Sequence, residues 1–74
     1  MKPYSNKNGN SGVIAYESGK GFIDIAFIGG DIYRYTNASA GKTAIDRMIE
    51  LAKAGEGLST YISQHVKDKY AEKL

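Results

Sequence analysis

Two hydrophobic periodicities divide the chain. Between Val13 and Thr36, apolar and polar residues largely alternate, with the period of two that indicates β-strands. The strongest run is Phe22–Ile28, in which Ile23, Ile25 and Phe27 fall on one face. In the second half of the chain, apolar residues recur every three or four positions, which is typical of amphipathic helices. This order of strands followed by helices predicts an α+β protein.

The first half of the pattern predicts a three-stranded antiparallel meander. The predicted strands are Val13–Glu17, Phe22–Ile28 and Ile32–Thr36. Gly29-Gly30-Asp31 supplies the positive φ angles that a tight hairpin turn requires. In the last strand, Tyr33 and Tyr35 share one face and Arg34 lies on the other, because side chains alternate across a strand.

The second half predicts two α-helices, which pack on one face of the sheet and complete a β-β-β-α-α order. Asn37 or Ser39 is expected to cap the first helix, and Gly55 to end it. The apolar stripe of the first helix consists of Ile45, Met48, Ile49 and Ala52. The second helix is expected to begin at Ser59 or Thr60. Its apolar residues are Leu58, Ile62, Val66 and Tyr70, with Tyr61 beside them.

Residues 1–12 are rich in Lys, Asn, Ser and Gly and lack apolar periodicity, which predicts a flexible N-terminal tail. Residues 13–74 then form a single domain, since 74 residues leave no room for a second one. The first twelve residues lack the apolar core of a signal peptide, and no apolar run approaches the length of a membrane span. We therefore expect a cytoplasmic protein that does not enter a membrane.

The composition argues against an enzyme. There is no cysteine and one histidine, which excludes disulfides and a single-chain zinc site built from Cys and His. His65 lies beside the apolar stripe, and Ser63 points to a different side of the same predicted helix. Gly41-Lys42-Thr43 ends like a phosphate-binding loop, but Thr36 stands where that motif needs its first glycine. We expect no catalytic residue, no metal and no cofactor.

Five short motifs in a fixed order give the chain a family resemblance. They are Ser11 with Ile14-Ala15-Tyr16, Ile25-x-Phe27-x-Gly29-Gly30, Tyr33-x-Tyr35, Ala54-Gly55, and Gly57-Leu58 with Tyr61-Ile62, Val66 and Tyr70. In this order they resemble the KTSC domain, a small domain named after the C-terminus of some lysyl-tRNA synthetases, which also occurs as stand-alone bacterial and phage proteins. The resemblance implies one KTSC-like domain and a nucleic-acid-binding role.

The chain departs from the KTSC pattern at two places. Many relatives have Val-Pro after the Tyr-x-Tyr strand, whereas this chain has Thr36-Asn37-Ala38-Ser39. Many also have an asparagine in the last helical segment, where Ser59 or Ser63 stands here.

Six tyrosines in 74 residues, together with a net charge of +2, direct attention to an aromatic and basic surface. One interpretation is that the rings complete a small core. The other is that they stack on bases while cations contact phosphates. The predicted ligand-binding residues are Tyr33, Arg34, Tyr35, Lys67 and Lys69.

The sequence therefore predicts a non-enzymatic binding module that contacts RNA or a nucleotide through a Tyr/Arg/Lys surface. The alternative is a phage-type inhibitor of a host defence system. Such an inhibitor acts by docking on a partner protein, or as a homo-oligomer that sequesters a signalling nucleotide. An exposed edge or face with Phe22 and Ile28 would favour protein docking.

Overall fold

A computed structural model describes residues 1–7, 9 and 11–74 and confirms the α+β class. Within these residues, five antiparallel strands form one sheet in the order β1-β2-β3-β4-β5, and three helices accompany it. The strands are β1 (Lys2–Pro3), β2 (Val13–Gly19), β3 (Phe22–Phe27), β4 (Ile32–Thr36) and β5 (Glu72–Lys73). No helix in the described part of the chain is long and apolar enough to cross a membrane.

The predicted meander forms the middle of the sheet, and a two-residue strand is added at each edge. On one edge Lys2 pairs with Tyr16 of β2, and on the other Lys73 pairs with Tyr33 of β4. The sheet thus has five strands instead of the predicted three. Strands of two residues contain too few positions to show alternation, so the sequence pattern does not reveal them.

The helices are α1 (Asn37–Ala40), α2 (Lys42–Ala54) and α3 (Leu58–Tyr61), and α3 continues as a π-helical turn over Ile62–Val66. Thr36 caps α1, whereas Asn37 or Ser39 was the expected cap. The Thr36 hydroxyl accepts a hydrogen bond from the N–H of Ser39, and the Ser39 hydroxyl accepts one from the N–H of Thr36. Gly55 ends α2 in the left-handed conformation, as predicted.

The core lies between the helices and one face of the sheet. Ile23, Ile25 and Tyr35 of the sheet join Ile45 and Met48 of α2 in one buried cluster. The other fully buried members that contact this cluster are Val13, Leu58 and Val66. The register pairs Ile23 with Tyr35 and Ile25 with Tyr33, so both tyrosines lie on the helix-covered face.

The N-terminal segment differs from the predicted flexible tail. Tyr4 is 6% exposed, and its hydroxyl oxygen accepts a hydrogen bond from the N–H of Leu58 at 3.2 Å. The N–H of Lys7 donates to the carbonyl oxygen of Gly55 at 2.8 Å. One apolar ring among polar residues gives no periodic signal, but its burial fixes the segment on the helices. Asn8 and Asn10, which belong to the predicted tail, lie outside the described residues.

The sheet surface opposite the helices carries the alternate side chains, and we call it the open face. Its central residues are Asp24 and Ala26 of β3 and Ile32 and Arg34 of β4, which pair across the two strands. A bulge in β2 between Val13 and Ala15 leaves the side chain of Ile14 exposed beside this face.

A candidate ligand-binding groove

A groove of about 330 Å³ lies where β3 and β4 meet the segment that follows the π-helical turn. We call it the tyrosine groove. It is lined by Phe27, Asp31, Tyr33, Tyr35, Ile62, Lys67, Asp68 and Tyr70. Alternation along β4 brings Tyr33 and Tyr35 to it, and the chain reversal after Val66 brings Lys67, Asp68 and Tyr70 to its other wall.

Three tyrosine rings and one phenylalanine ring form a connected aromatic surface in the groove. The ring centroids of Tyr33 and Tyr70 are 4.7 Å apart. Those of Tyr35 and Tyr70 are 6.3 Å apart, and the planes of these two rings are nearly perpendicular. Phe27 meets Tyr33 edge-on at 5.8 Å. Tyr70 is 41% exposed, so part of its ring remains open to a planar ligand.

Two carboxylates and two ammonium groups surround these rings. The Nζ atom of Lys73 lies 3.2 Å from Oδ1 of Asp31 and 5.9 Å from the centroid of the Tyr33 ring. The hydrogen bond to Asp31 raises the pKa of Lys73 above its ordinary value, so this ammonium remains charged. Lys67 and Asp68 form no ion pair with any residue that the structure describes.

Tyr35 forms the floor of the groove, with 2% of its surface exposed. Burial, helped by the nearby hydroxyls of Tyr33 and Tyr70 and by the charge of Asp68, raises the pKa of its hydroxyl to about 12. The hydroxyl therefore remains protonated at neutral pH. It is a neutral group that can donate a hydrogen bond to a ligand.

The predicted binding residues divide between two faces. Tyr33, Tyr35 and Lys67 meet at the tyrosine groove. Arg34 lies on the open face, where Nε and Nη2 donate hydrogen bonds to the carboxylate of Asp24 at 2.7 and 2.9 Å. Lys69 is exposed and is not among the residues that line the groove.

Arg34 has a structural explanation. The Asp24 carboxylate raises the pKa of Arg34, first through their hydrogen bonds, and Asp24 is only 3% exposed. The guanidinium also lies over the ring of Phe22, with Cζ 4.7 Å from the centroid. These contacts hold the guanidinium on the sheet and leave it less available to a ligand.

Two residues that line the groove, Asp68 and Tyr70, were not among the predicted binding residues. Tyr70 follows Val66 at a step of four, which favours a core position on a continuous helix. The helix instead ends at Val66, and Tyr70 turns back to β4. The interleaving of Asp68 between two lysines indicated a solvated surface and nothing more specific.

Two other sequence features remain ordinary surface. The ammonium group of Lys42, in the incomplete phosphate-loop motif, pairs with Asp46 at 2.6 Å on the exposed side of α2. His65 is exposed and stacks on Tyr61, with the ring centroids 4.4 Å apart. Neither residue lines the tyrosine groove.

No protein-family model matches the chain, and no significant match exists among curated proteins or among solved structures.

Proposed function

We propose that this protein is a non-enzymatic binding module that holds a base of RNA or of a free nucleotide in the tyrosine groove. The observation that carries the proposal is the meeting at one groove of three tyrosine rings and Lys67, which has no ion-pair partner among the residues that the structure describes. The proposal includes two further points: that the chain is a KTSC-like domain, and that it acts in the cytoplasm.

The chemistry of the groove suits a nucleotide. A base stacked on an exposed aromatic ring gains about 1–3 kcal/mol and needs no particular sequence. Tyr70 offers such a ring, and Lys67 lies beside it as a cation for a phosphate. Because one lysine replaces few counterions, we expect weak binding with a shallow dependence on salt.

The first experiment tests the purified protein for a retained ligand. A bound base adds ultraviolet absorbance to a chain with no tryptophan and six tyrosines, and mass spectrometry identifies what is released. The protein is then titrated with a short single-stranded RNA and with mononucleotides, and amide chemical shifts locate the contact. We expect the shifts to concentrate on Tyr33, Lys67 and Tyr70.

Two pairs of variants make this test specific. Tyr70→Ala is expected to weaken binding by about 5- to 100-fold, because it removes the stacking ring, whereas Tyr61→Ala removes a tyrosine outside the groove and leaves affinity unchanged. Lys67→Ala is expected to lower the salt slope by about 1, and Lys69→Ala to change it less. The proposal would be overturned if the purified protein shows no excess ultraviolet absorbance and neither RNA nor mononucleotides change its amide chemical shifts.

A second candidate function is docking of a partner protein on the open face, as a phage-type inhibitor does. The observation that favours it is the exposure of two isoleucines, Ile14 of β2 at 49% and Ile28 in the turn after β3 at 74%. Under this function, Ile14→Lys with Ile28→Lys abolishes capture of the partner, while Tyr70→Ala has no effect. A nucleotide-sequestering oligomer would instead lose its ligand with Tyr70→Ala.

A further inference from the structure

We infer that the tyrosine groove selects guanine over the other bases, with the Asp68 carboxylate and the Tyr35 hydroxyl reading its Watson–Crick edge. This inference rests on the proposed function and adds to it the identity of the base. The basis is a comparison of the polar groups of the groove that are paired within the protein with those that can pair with a ligand.

The first step concerns the two carboxylates of the groove. Asp31 is engaged, because Lys73 lies 3.2 Å from its Oδ1 atom. Asp68 lines the same groove and has no ion-pair partner among the described residues. An ionised carboxylate only accepts hydrogen bonds, and its two oxygens can accept two parallel ones. The groove thus offers one free, doubly accepting group beside its rings.

The Tyr35 hydroxyl is the second group, since Tyr35 lines the same groove as Asp68 and the Asp68 charge contributes to the raised pKa of Tyr35. As a protonated hydroxyl it donates one hydrogen bond. A ligand edge that satisfies both groups presents one acceptor next to two adjacent donors.

Guanine presents that edge. Its O6 oxygen accepts, and its N1–H and N2–H₂ groups are neighbouring donors. Adenine and cytosine place a donor beside an unprotonated ring nitrogen, which would face the carboxylate with a lone pair. Uracil has a single N–H between two carbonyl oxygens. A carboxylate that faces these three bases therefore stays partly unpaired, at a cost that discriminates against them.

Lys67 completes the arrangement from the neighbouring position in the chain. Lys67 lines the groove together with Asp68 and Tyr70. When a guanine stacks on Tyr70 and pairs with Asp68, Lys67 is the cation that contacts its phosphate. Asp68 then recognises the base, and Lys67 offsets its negative charge near the phosphate.

The test is a set of amide chemical-shift titrations with GMP, IMP, AMP and UMP. IMP keeps O6 and N1–H and lacks only the N2 amino group, so the ratio of GMP to IMP affinity isolates one donor. We expect GMP to bind about 5- to 100-fold more tightly than AMP and UMP, with IMP in between. We expect Asp68→Asn and Tyr35→Phe to lower the affinity for GMP and so to remove most of this preference.

Asp46→Asn, on the exposed side of α2, is the control for the loss of one negative charge. Binding of all four nucleotides with equal affinity, or a GMP preference that survives Asp68→Asn, would overturn the guanine inference and leave the proposed function standing. An equal gain for all four nucleotides in Asp68→Asn would also overturn it, because Asp68 would then only repel phosphate. Binding of none of them, together with no binding of RNA, would overturn the proposed function itself.

Discussion

At the scale of single residues, the pair of Asp24 and Arg34 links sequence to stability most directly. Asp24 points to the open face and is nevertheless only 3% exposed, because Arg34 covers it with two hydrogen bonds. The side chain of Arg34 itself is 37% exposed. A carboxylate this buried depends on its single cation, since removal of one partner from a buried pair leaves an uncompensated charge.

We predict that Arg34→Met lowers the free energy of unfolding by about 2–3 kcal/mol, measured by urea denaturation. Methionine keeps apolar contact with Phe22 and removes both hydrogen bonds to Asp24. Adding Asp24→Leu to this variant is expected to restore part of the loss, because the buried charge is then gone. Arg47→Met, which breaks an exposed pair with Glu50, is the control and is expected to cost less than about 1 kcal/mol. Equal losses at the two arginines would contradict the prediction.

Tyr35 makes the stability of the fold depend on pH in the alkaline range. Its pKa is about 12 in the folded protein, raised from an ordinary value of 10.0. Between these two values the unfolded chain loses the phenolic proton while the folded chain keeps it, so rising pH favours unfolding. The contribution of the protonated Tyr35 hydroxyl to the free energy of unfolding is fully present below about pH 10 and is lost as pH rises through about 12.

We predict that the free energy of unfolding of the wild type, relative to that of Tyr35→Phe, falls by up to about 1.4 kcal/mol per pH unit between about pH 10 and 12. Urea titrations of both proteins at pH 9, 10 and 11 measure this difference. A constant difference across the series would show that Tyr35 titrates normally in the folded state.

At the scale of elements, the turn between α2 and α3 holds the N-terminal segment in place. Gly55 is buried, has a φ of +77°, and lies so close to Ser5 that an added Cβ would come within 2.6 Å of the Ser5 Cβ atom. Gly57 has a similar φ of +78°, but an added Cβ there meets its nearest neighbour at 3.6 Å. The two glycines thus share one backbone conformation and differ in their surroundings.

We predict that Gly57→Ala costs about 1–2 kcal/mol, the cost of the left-handed conformation alone. Gly55→Ala is expected to cost at least about 1 kcal/mol more, because Ser5 must also move. Hydrogen exchange supplies a second measurement. The amide of Lys7, which donates to the carbonyl oxygen of Gly55, is expected to lose protection in Gly55→Ala and to keep it in Gly57→Ala. Equal effects of the two substitutions would mean that contact with Ser5 contributes nothing.

The elements also show what the sequence could and could not predict. Strands β2, β3 and β4 and helix α2 follow from periodicity, because each has enough positions to show a pattern, such as Ile45, Met48 and Ala52 buried on α2. Strands β1 and β5 form only by pairing with β2 and β4 in the folded chain. Each has two residues, which are too few to show a hydrophobic period in the sequence. Sequence therefore predicted the class and the centre of the sheet, but not its edges.

At the scale of the whole molecule, the chain presents two separate surfaces. The tyrosine groove lies at one end of the helix-covered face, and the open face lies on the other side of the sheet. Tyr33 and Arg34 are neighbours in sequence and lie on opposite faces, so the predicted Tyr/Arg/Lys surface does not form as a unit. Alternation already separated them, but only the position of the helices decides which face is covered.

The groove could be predicted only in part for the same reason. Tyr33, Tyr35 and Lys67 were chosen for their chemistry, and three-dimensional structure brings them together. Asp68 and Tyr70 reach the groove because the helix ends at Val66, which the four-residue spacing did not reveal. Their arrival at the groove is a property of the folded chain and not of any short motif.

The π-helical turn at Ile62–Val66 has a consequence for how the chain can change length. Such a turn accommodates one residue more than an α-helical turn, and here Ile62 and Val66 are both buried while Ser63, Gln64 and His65 are exposed. Deletion of Gln64 would leave Ile62 and Val66 three residues apart, which still places both on one side of an α-helix. A variant that is one residue shorter at this position is therefore expected to keep its core.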